Sequence, residues 1–247
     1  MKIQELKEHL EKYKDALVLV GPDAIKNIAS IPSRDDQIKF LNNKNLRRSP
    51  KEFWDFYFNQ FYIEPKKASE TEKVIAELYK NSLVKNVVTL YPDGLLSYFN
   101  LINPTDIIHL HGNMQTYQCQ KASCKINYPI EAINKENLTC EVCGNRLRPQ
   151  ILLSGENYNE DKYQAMISLL NQTHTLFTIG LDYTETPIVE FIADYCDLKG
   201  ASEESKVLVS VVDKDLDMDL NEQIGFHEFI VKDDCDAAMI RLLDALR

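Results

Sequence analysis

The sequence predicts an α/β protein built on a doubly wound parallel sheet, with a smaller lobe inserted into it. Three observations carry this. Six short runs are apolar and rich in β-branched residues: "ALVLV" 16–20, "NVVTL" 86–90, "IIHL" 107–110, "LFTIG" 176–180, "KVLVSVV" 206–212 and "EFIV" 228–231. They are continuous rather than alternating, the pattern of strands covered on both faces. Segments of helical periodicity separate them, at about 20 or more residues per crossover, which is the alternation of a Rossmann-like fold. Two stretches, 35–82 and 113–150, break that rhythm and supply the smaller lobe.

The elements follow in order. "MKIQELKEHLEKYK" is an amphipathic helix with Ile3, Leu6, Leu10 and Tyr13 on one face, rather than an export signal. After the first strand, "KNLRRSPK" 44–51 is a basic stretch expected as a solvated loop, and "KEFWDFYFNQFY" 51–62 is a strongly aromatic helix. "SETEKVIAELYKN" 69–81 opens on a Ser–Glu cap. Beyond the second lobe segment, "QILLS" returns to a strand and "EDKYQAMISLLN" 160–171 has helical spacing. "PIVEFIADYCDL" 187–198 has Pro187 placed for a first helical turn, and "DCDAAMIRLLDAL" 234–246 is the last helix. Residues 1–34, 83–112 and 151–247 are thus expected to form the main lobe. Residues 35–82, as a helical insertion, and 113–150 are expected to form the small one. The cleft between lobes, over the carboxyl ends of the strands, is the default binding site of such a fold.

Composition narrows the function classes. The 247 residues are 44% hydrophobic and 27% charged, the composition of a globular protein long enough to bury a core without disulfides. No run approaches the roughly 20 apolar residues of a membrane span. Formal charge is 28 − 38 = −10, which argues against the nucleic-acid backbone as a partner. Nothing marks the chain for export, so a reducing cytoplasm is expected, where paired cysteines signal metal rather than disulfides.

Four of the six cysteines form two close pairs, Cys119-x4-Cys124 and Cys140-x2-Cys143, with fifteen residues between them. Two such knuckles present four thiolates tetrahedrally, the donor set of structural zinc. Four sulfurs close the shell, so the nearby His111 is not needed as a ligand. Cys196 and Cys235 lie in helical patterns as small buried side chains. His111 follows a strand end and precedes Gly112, where side chains point into a switch-point cleft. A neutral imidazole there suits general-base work near neutral pH; a satisfied structural histidine is the alternative. His109, two residues earlier on the same strand, is expected deeper in the core.

The order "HLHG", then the four cysteines, then "LRPQILLSGE" resembles the sirtuins, a family of NAD-dependent protein deacylases, and the likeness runs over almost the whole chain. "LVLVGPDAIKNIASIPSRD" 17–35 is similar to the family's phosphate loop "TGAGISxxSGIPxFR". "VVTLYPDGLL" 87–96 stands at its "VITQNIDGLH", and "TIGLDYTETP" 178–187 at its "xxGTSLxVxP". The resemblance implies that NAD and an acyl-lysine peptide bind in the cleft. The acyl oxygen displaces nicotinamide at the ribose, and His111 as general base takes a ribose hydroxyl proton. It further implies that Asp93 meets the nicotinamide carboxamide, Gly21 and Arg34 line the diphosphate side, and Gly180 contacts the adenosine half. Gly155 and Glu156 edge the strand on which the peptide pairs.

The chain departs from the pattern around the cofactor. Gly-Ala-Gly is Gly21-Pro22-Asp23, Gln-Asn is Leu90-Tyr91, Thr-Ser after Gly180 is Leu181-Asp182, and Ser154 replaces a cleft phenylalanine. Proline lacks an amide donor and Asp23 brings negative charge towards a diphosphate. Asp182 is the candidate to accept a ribose hydroxyl, as acids do in other dinucleotide folds. Three outcomes stay open at this level: a divergent deacylase, a sirtuin-fold binding protein without turnover, and ADP-ribosyl transfer or hydrolysis of NAD.

Overall fold

The computed structural model describes residues 3–181, 183, 186–201, 206–212 and 229–247. Six parallel strands form the main sheet: β1 (Ala16–Val20), β2 (Val84–Thr89), β3 (Ile107–His109), β7 (Thr175–Ile179), β8 (Val207–Val212) and β9 (Phe229–Lys232), in the order β3-β2-β1-β7-β8-β9. Every residue of β1, β7 and β8 is buried, which accounts for their unbroken apolar sequence. Along β1 the pleat divides the side chains. Ala16, Val18 and Val20 face helices α1 (Ile3–Tyr13) and α5 (Glu70–Lys80) and the last helix, α9 (Cys235–Leu246). Leu17 and Leu19 face α7 (Glu160–Gln172) and α8 (Thr186–Ala201). Chain order reverses between β1 and β7, so the fold is doubly wound with its switch point there, as expected from the alternation.

The second lobe is a three-stranded antiparallel sheet, β5-β4-β6, of β4 (Gly112–Cys119), β5 (Asn127–Pro129) and β6 (Leu147–Ile151). Helices α2 (Arg34–Phe40), α3 (Asn43–Arg48) and α4 (Pro50–Phe56) pack on it through an aromatic core that includes Phe53, Phe56, Tyr57, Phe61 and Tyr117. Two local expectations change. The basic stretch at 44–51 is helical rather than a loop, because Asn42 caps α3 by accepting from Asn45 N at 2.9 Å and Leu46 is buried. The aromatic helix ends at Phe56 and widens into a single π-turn over Tyr57–Phe61, with Tyr62 N donating to Tyr57 O. That turn sets Tyr57 and Phe61 both inward. Of residues 35–82, α5 lies on the parallel sheet while the helices before it join the small lobe. A reciprocal cap, Ser69 with Glu72, starts α5, and Asp236 of α9 accepts from Thr71 N and Oγ1 at 2.7 Å.

The two sheets meet at one corner. β3 ends at His109 and β4 begins at Gly112, so the chain leaves the parallel sheet through only Leu110 and His111. Gly112 has φ +90°, and a Cβ on it would stand 2.0 Å from the Gln150 carbonyl oxygen. Only glycine fits such an approach. His111 O accepts from Leu152 N at 2.8 Å, which fixes the corner against the strand leaving β6. Gly112→Ala should therefore destabilise the fold by about 2 kcal/mol or more, read as a lowered Tm, with the greatest disorder at the corner.

Candidate active-site cleft and metal centre

The four paired cysteines converge at one end of the small sheet. Cys119 ends β4, and the Sγ atoms of Cys119, Cys124, Cys140 and Cys143 all lie within 4.8 Å of one another. Cys119 and Cys143 sulfurs are 3.4 Å apart, and those of Cys124 and Cys140 are 3.7 Å apart. A tetrahedron with Zn–S bonds of about 2.3 Å has edges of about 3.8 Å, so the donor set fits zinc. Lys121 N points at Cys119 Sγ (3.4 Å), and Tyr128 Oη lies 3.2 Å from Cys140 Sγ. Such outer contacts orient ligating thiolates. His111 belongs to none of this. It lies in the gap between the lobes.

That gap is a cleft of about 590 Å³ lined by the ends of β1 (Pro22), β2 (Leu90, Tyr91), the β3–β4 corner (His111) and β7 (Leu181, Tyr183). Its other wall is small-lobe surface, including Ile31, Leu41, Phe61 and Ser154, with Arg34 and Glu156 as its charged members. The His111 ring stacks on Tyr158 (centroids 5.7 Å, planes 17° apart), and Tyr158 stacks on Tyr163. The aromatic column holds the imidazole flat against one wall. His109 is different. Its ring nitrogens meet Thr89 Oγ1 (2.9 Å) and Ser97 Oγ, and burial lowers its pKa to about 4, so it is a neutral structural group.

Beneath the cleft, Asp93 is buried and its Oδ1 accepts from Leu95 N at 2.8 Å. Its carboxyl also hydrogen-bonds that of Glu72, whose Oε2 accepts from Ser69 N at 2.8 Å. Two carboxyls in contact without water cannot both ionise readily. Burial first, then the Asp93 charge, pushes Glu72 up to about 8, and burial pushes Asp93 up to about 6. At neutral pH Glu72 keeps a proton and donates it to the Asp93 carboxylate.

Glu156 is engaged within the protein. Arg148 grips it with two hydrogen bonds (2.7 and 2.8 Å), and Asn43 and Leu153 N add two more. Burial would raise its pKa, but these donors outweigh burial and hold it at about 2. The loop after β1 is also occupied. Gly21 N donates to Ile179 O, Asp23 N to Gly180 O and Ala24 N to Gly21 O, while Pro22 has no N–H. A Cβ on Gly21 would lie 2.2 Å from Gly180 O, so the two loop ends at the switch point touch backbone to backbone. At the inner end the cleft is lined by Tyr91 and His111, whose Oη and Nε2 atoms are enclosed, and Asp93 is buried two residues beyond Tyr91. Arg34 is the cationic side chain lining the cleft, and the amides of the loop after β1 are taken up by protein carbonyls. Asp182 lies outside the described residues.

A doubly wound parallel sheet, joined at one corner to a small antiparallel lobe that carries four clustered thiols, defines a two-lobed α/β fold. Comparison with known proteins narrows this. The Sir2 family profile matches residues 29–187. An NAD-dependent protein deacetylase of Bacillus cereus is 30% identical over 201 residues, covering 76% of this chain and 79% of the relative. One of Caldivirga maquilingensis is 37% identical over 149 residues, covering 58% and 55%. A solved Sir2 structure with a p53 peptide and NAD+ superposes with TM-score 0.77 at 21% identity, over 99% of this chain and 98% of that one. A Sir2 homologue complexed with ADP-ribose gives 0.78 at 18%, over 100% and 97%. The chain belongs to the Sir2 family.

The structure brings His111, Arg34, Gly155 and Glu156 to one cleft, with Asp93 under its floor and Gly21 and Gly180 at the switch point. Sequence reasoning missed Glu72 and Tyr158. The Ser69–Glu72 cap was visible, but its second partner lies 21 positions on, and Tyr158 has no local signal at all. Among the described residues no helix is long and apolar enough to cross a membrane.

Two outcomes follow for this site. The purified chain should carry stoichiometric zinc by elemental analysis, and Cys124→Ser should lose the metal and melt earlier. The carboxyl pair sets a pH dependence. Both groups hold protons more tightly when folded, so the pair's contribution to stability is greatest at acid pH and falls as pH rises from about 4.5 to about 8. Glu72→Gln keeps a donor to Asp93 but does not titrate, so its Tm should change less between pH 5 and pH 8 than that of the wild type.

Proposed function

We propose that this chain is an NAD-dependent protein lysine deacylase that releases nicotinamide, acting in the cytoplasm on acyl-lysine segments of other proteins. Membership of the Sir2 family and the names of its relatives support this, and the observation that carries it is His111. An imidazole held on the corner between two sheets, stacked on Tyr158 and facing a cleft, has the position a general base needs.

NAD, when bound, supplies the ribose carbon that takes the acyl oxygen as nicotinamide leaves. The chain's residues do the rest. His111 takes the proton from a ribose hydroxyl. Asp93, kept ionised by the Glu72 proton, accepts from the carboxamide N–H of nicotinamide. Arg34 faces the diphosphate charge. The peptide pairs along the chain at Gly155 and Glu156, where the Arg148–Glu156 clamp holds that edge in place. The net charge of −10 favours basic target segments. Four reduced sulfurs for zinc require a reducing compartment, which supports the cytoplasm.

With zinc-loaded protein, NAD and acyl-lysine peptides, nicotinamide and deacylated peptide should form together, and His111→Ala should lower kcat by about 100-fold or more. No turnover over an acyl series from acetyl to long-chain would overturn the proposal. The inward-bonded amides of 21–24 favour one other reading, a Sir2-fold binding protein without turnover; calorimetry showing no NAD affinity alongside intact peptide binding would select it.

A further inference from the structure

β3 is the outermost strand of the parallel sheet, with β2 on one side and, among the described residues, no strand on the other. At its end Leu110 N donates to Thr89 O of β2. Backbone groups alternate along a strand, so the carbonyl of His109, one residue earlier, points the other way, to the open edge. Its donor comes from α7: Lys162 Nζ donates to His109 O at 2.9 Å. Lysine is a costly choice at this position. It is the third residue of α7, and its own N donates to the Asn159 cap at 3.0 Å. Cations are unfavourable in the first turn of a helix, where Glu160 and Asp161 suit the dipole. Burial works against the ammonium as well and lowers its pKa. Helix stability does not account for Lys162; the contact with the corner does.

The start of α7 reaches the corner a second time. Tyr158, the residue before the Asn159 cap, stacks on the His111 ring, with Tyr163 stacked behind it. His109 and His111 flank Leu110, so the two contacts grip the chain two residues apart, one on the backbone and one on the ring. From the small-lobe side the corner is already held by Leu152 N, which donates to His111 O. We propose that Lys162 is a positioning residue. By holding the His109 carbonyl at the sheet edge it fixes the backbone from which the His111 imidazole projects, and with Tyr158 it sets the direction of that ring in the cleft. This rests on the reading of His111 as the general base. Lys162 acts through the backbone and takes no proton in the reaction.

The test compares Lys162→Met, which keeps the length and loses the charge, with Lys162→Arg, which keeps a cationic donor. Both are made in the zinc-loaded full chain and measured well below Tm. With NAD and an acyl-lysine peptide, Lys162→Met should lower kcat about tenfold while both KM values stay within about twofold, and Lys162→Arg should recover most of the loss. The His111 Hε1 resonance, followed by NMR without ligands, should shift in the methionine variant and return near its wild-type position in the arginine one. A merely structural lysine would lower Tm but leave kcat and the resonance of the folded protein unchanged, which overturns the proposal. Unchanged kcat in the methionine variant of an active protein overturns it, and so does an arginine variant as impaired as the methionine one. If the wild type turns over no acyl peptide, the deacylase reading fails by itself; the resonance then decides the positioning, and an unmoved His111 signal in Lys162→Met overturns it.

Discussion

Everything in this molecule turns on the corner at residues 110–112. A parallel sheet and an antiparallel one run into each other there through two residues, and a glycine without a side chain lets the Gln150 carbonyl come close. Because the corner is tight, His111 cannot wander. It is carried to the gap between lobes by the same backbone that joins them. The zinc-type module begins at the far end of β4 with Cys119 and does not include the imidazole. Metal centre and candidate base are thus separate sites: His111 immediately precedes β4 and Cys119 ends it.

The cleft shows how one fold sorts its polar groups by burial. His109 and His111 share a short stretch of chain, yet one is enclosed by two hydroxyls and the other lines the cleft against Tyr158. Glu72 and Asp93 are both enclosed, and mutual contact lets one remain protonated so that the other can stay an acceptor. Glu156, also an acid in the cleft wall, is committed to Arg148. None of these assignments follows from residue type. Each follows from what the side chain meets.

The loop after β1 departs from the sirtuin pattern, and the structure explains how the loop tolerates it. Pro22 has no amide to contribute, and the neighbouring amides are taken up by carbonyls at the switch point. Gly21 survives because the Gly180 carbonyl presses against it. The second glycine of the pattern has no such constraint here, and Asp23 occupies its place.

The sequence by itself determined the layered α/β class, the four sulfurs of the metal centre and the candidate base. Their signals are local: unbroken apolar runs, fixed cysteine spacing, and a histidine–glycine pair at a strand end. Tertiary structure alone decided the rest. It made a helix of the basic stretch at 44–51 by burying Leu46, and opened a π-turn at 57–61 to fit two rings inward. It set Glu72 against Asp93, Tyr158 against His111, and left the Tyr91 hydroxyl alone. These pairings join residues far apart in the chain, and propensity and spacing carry no record of which distant groups a closed core brings into contact.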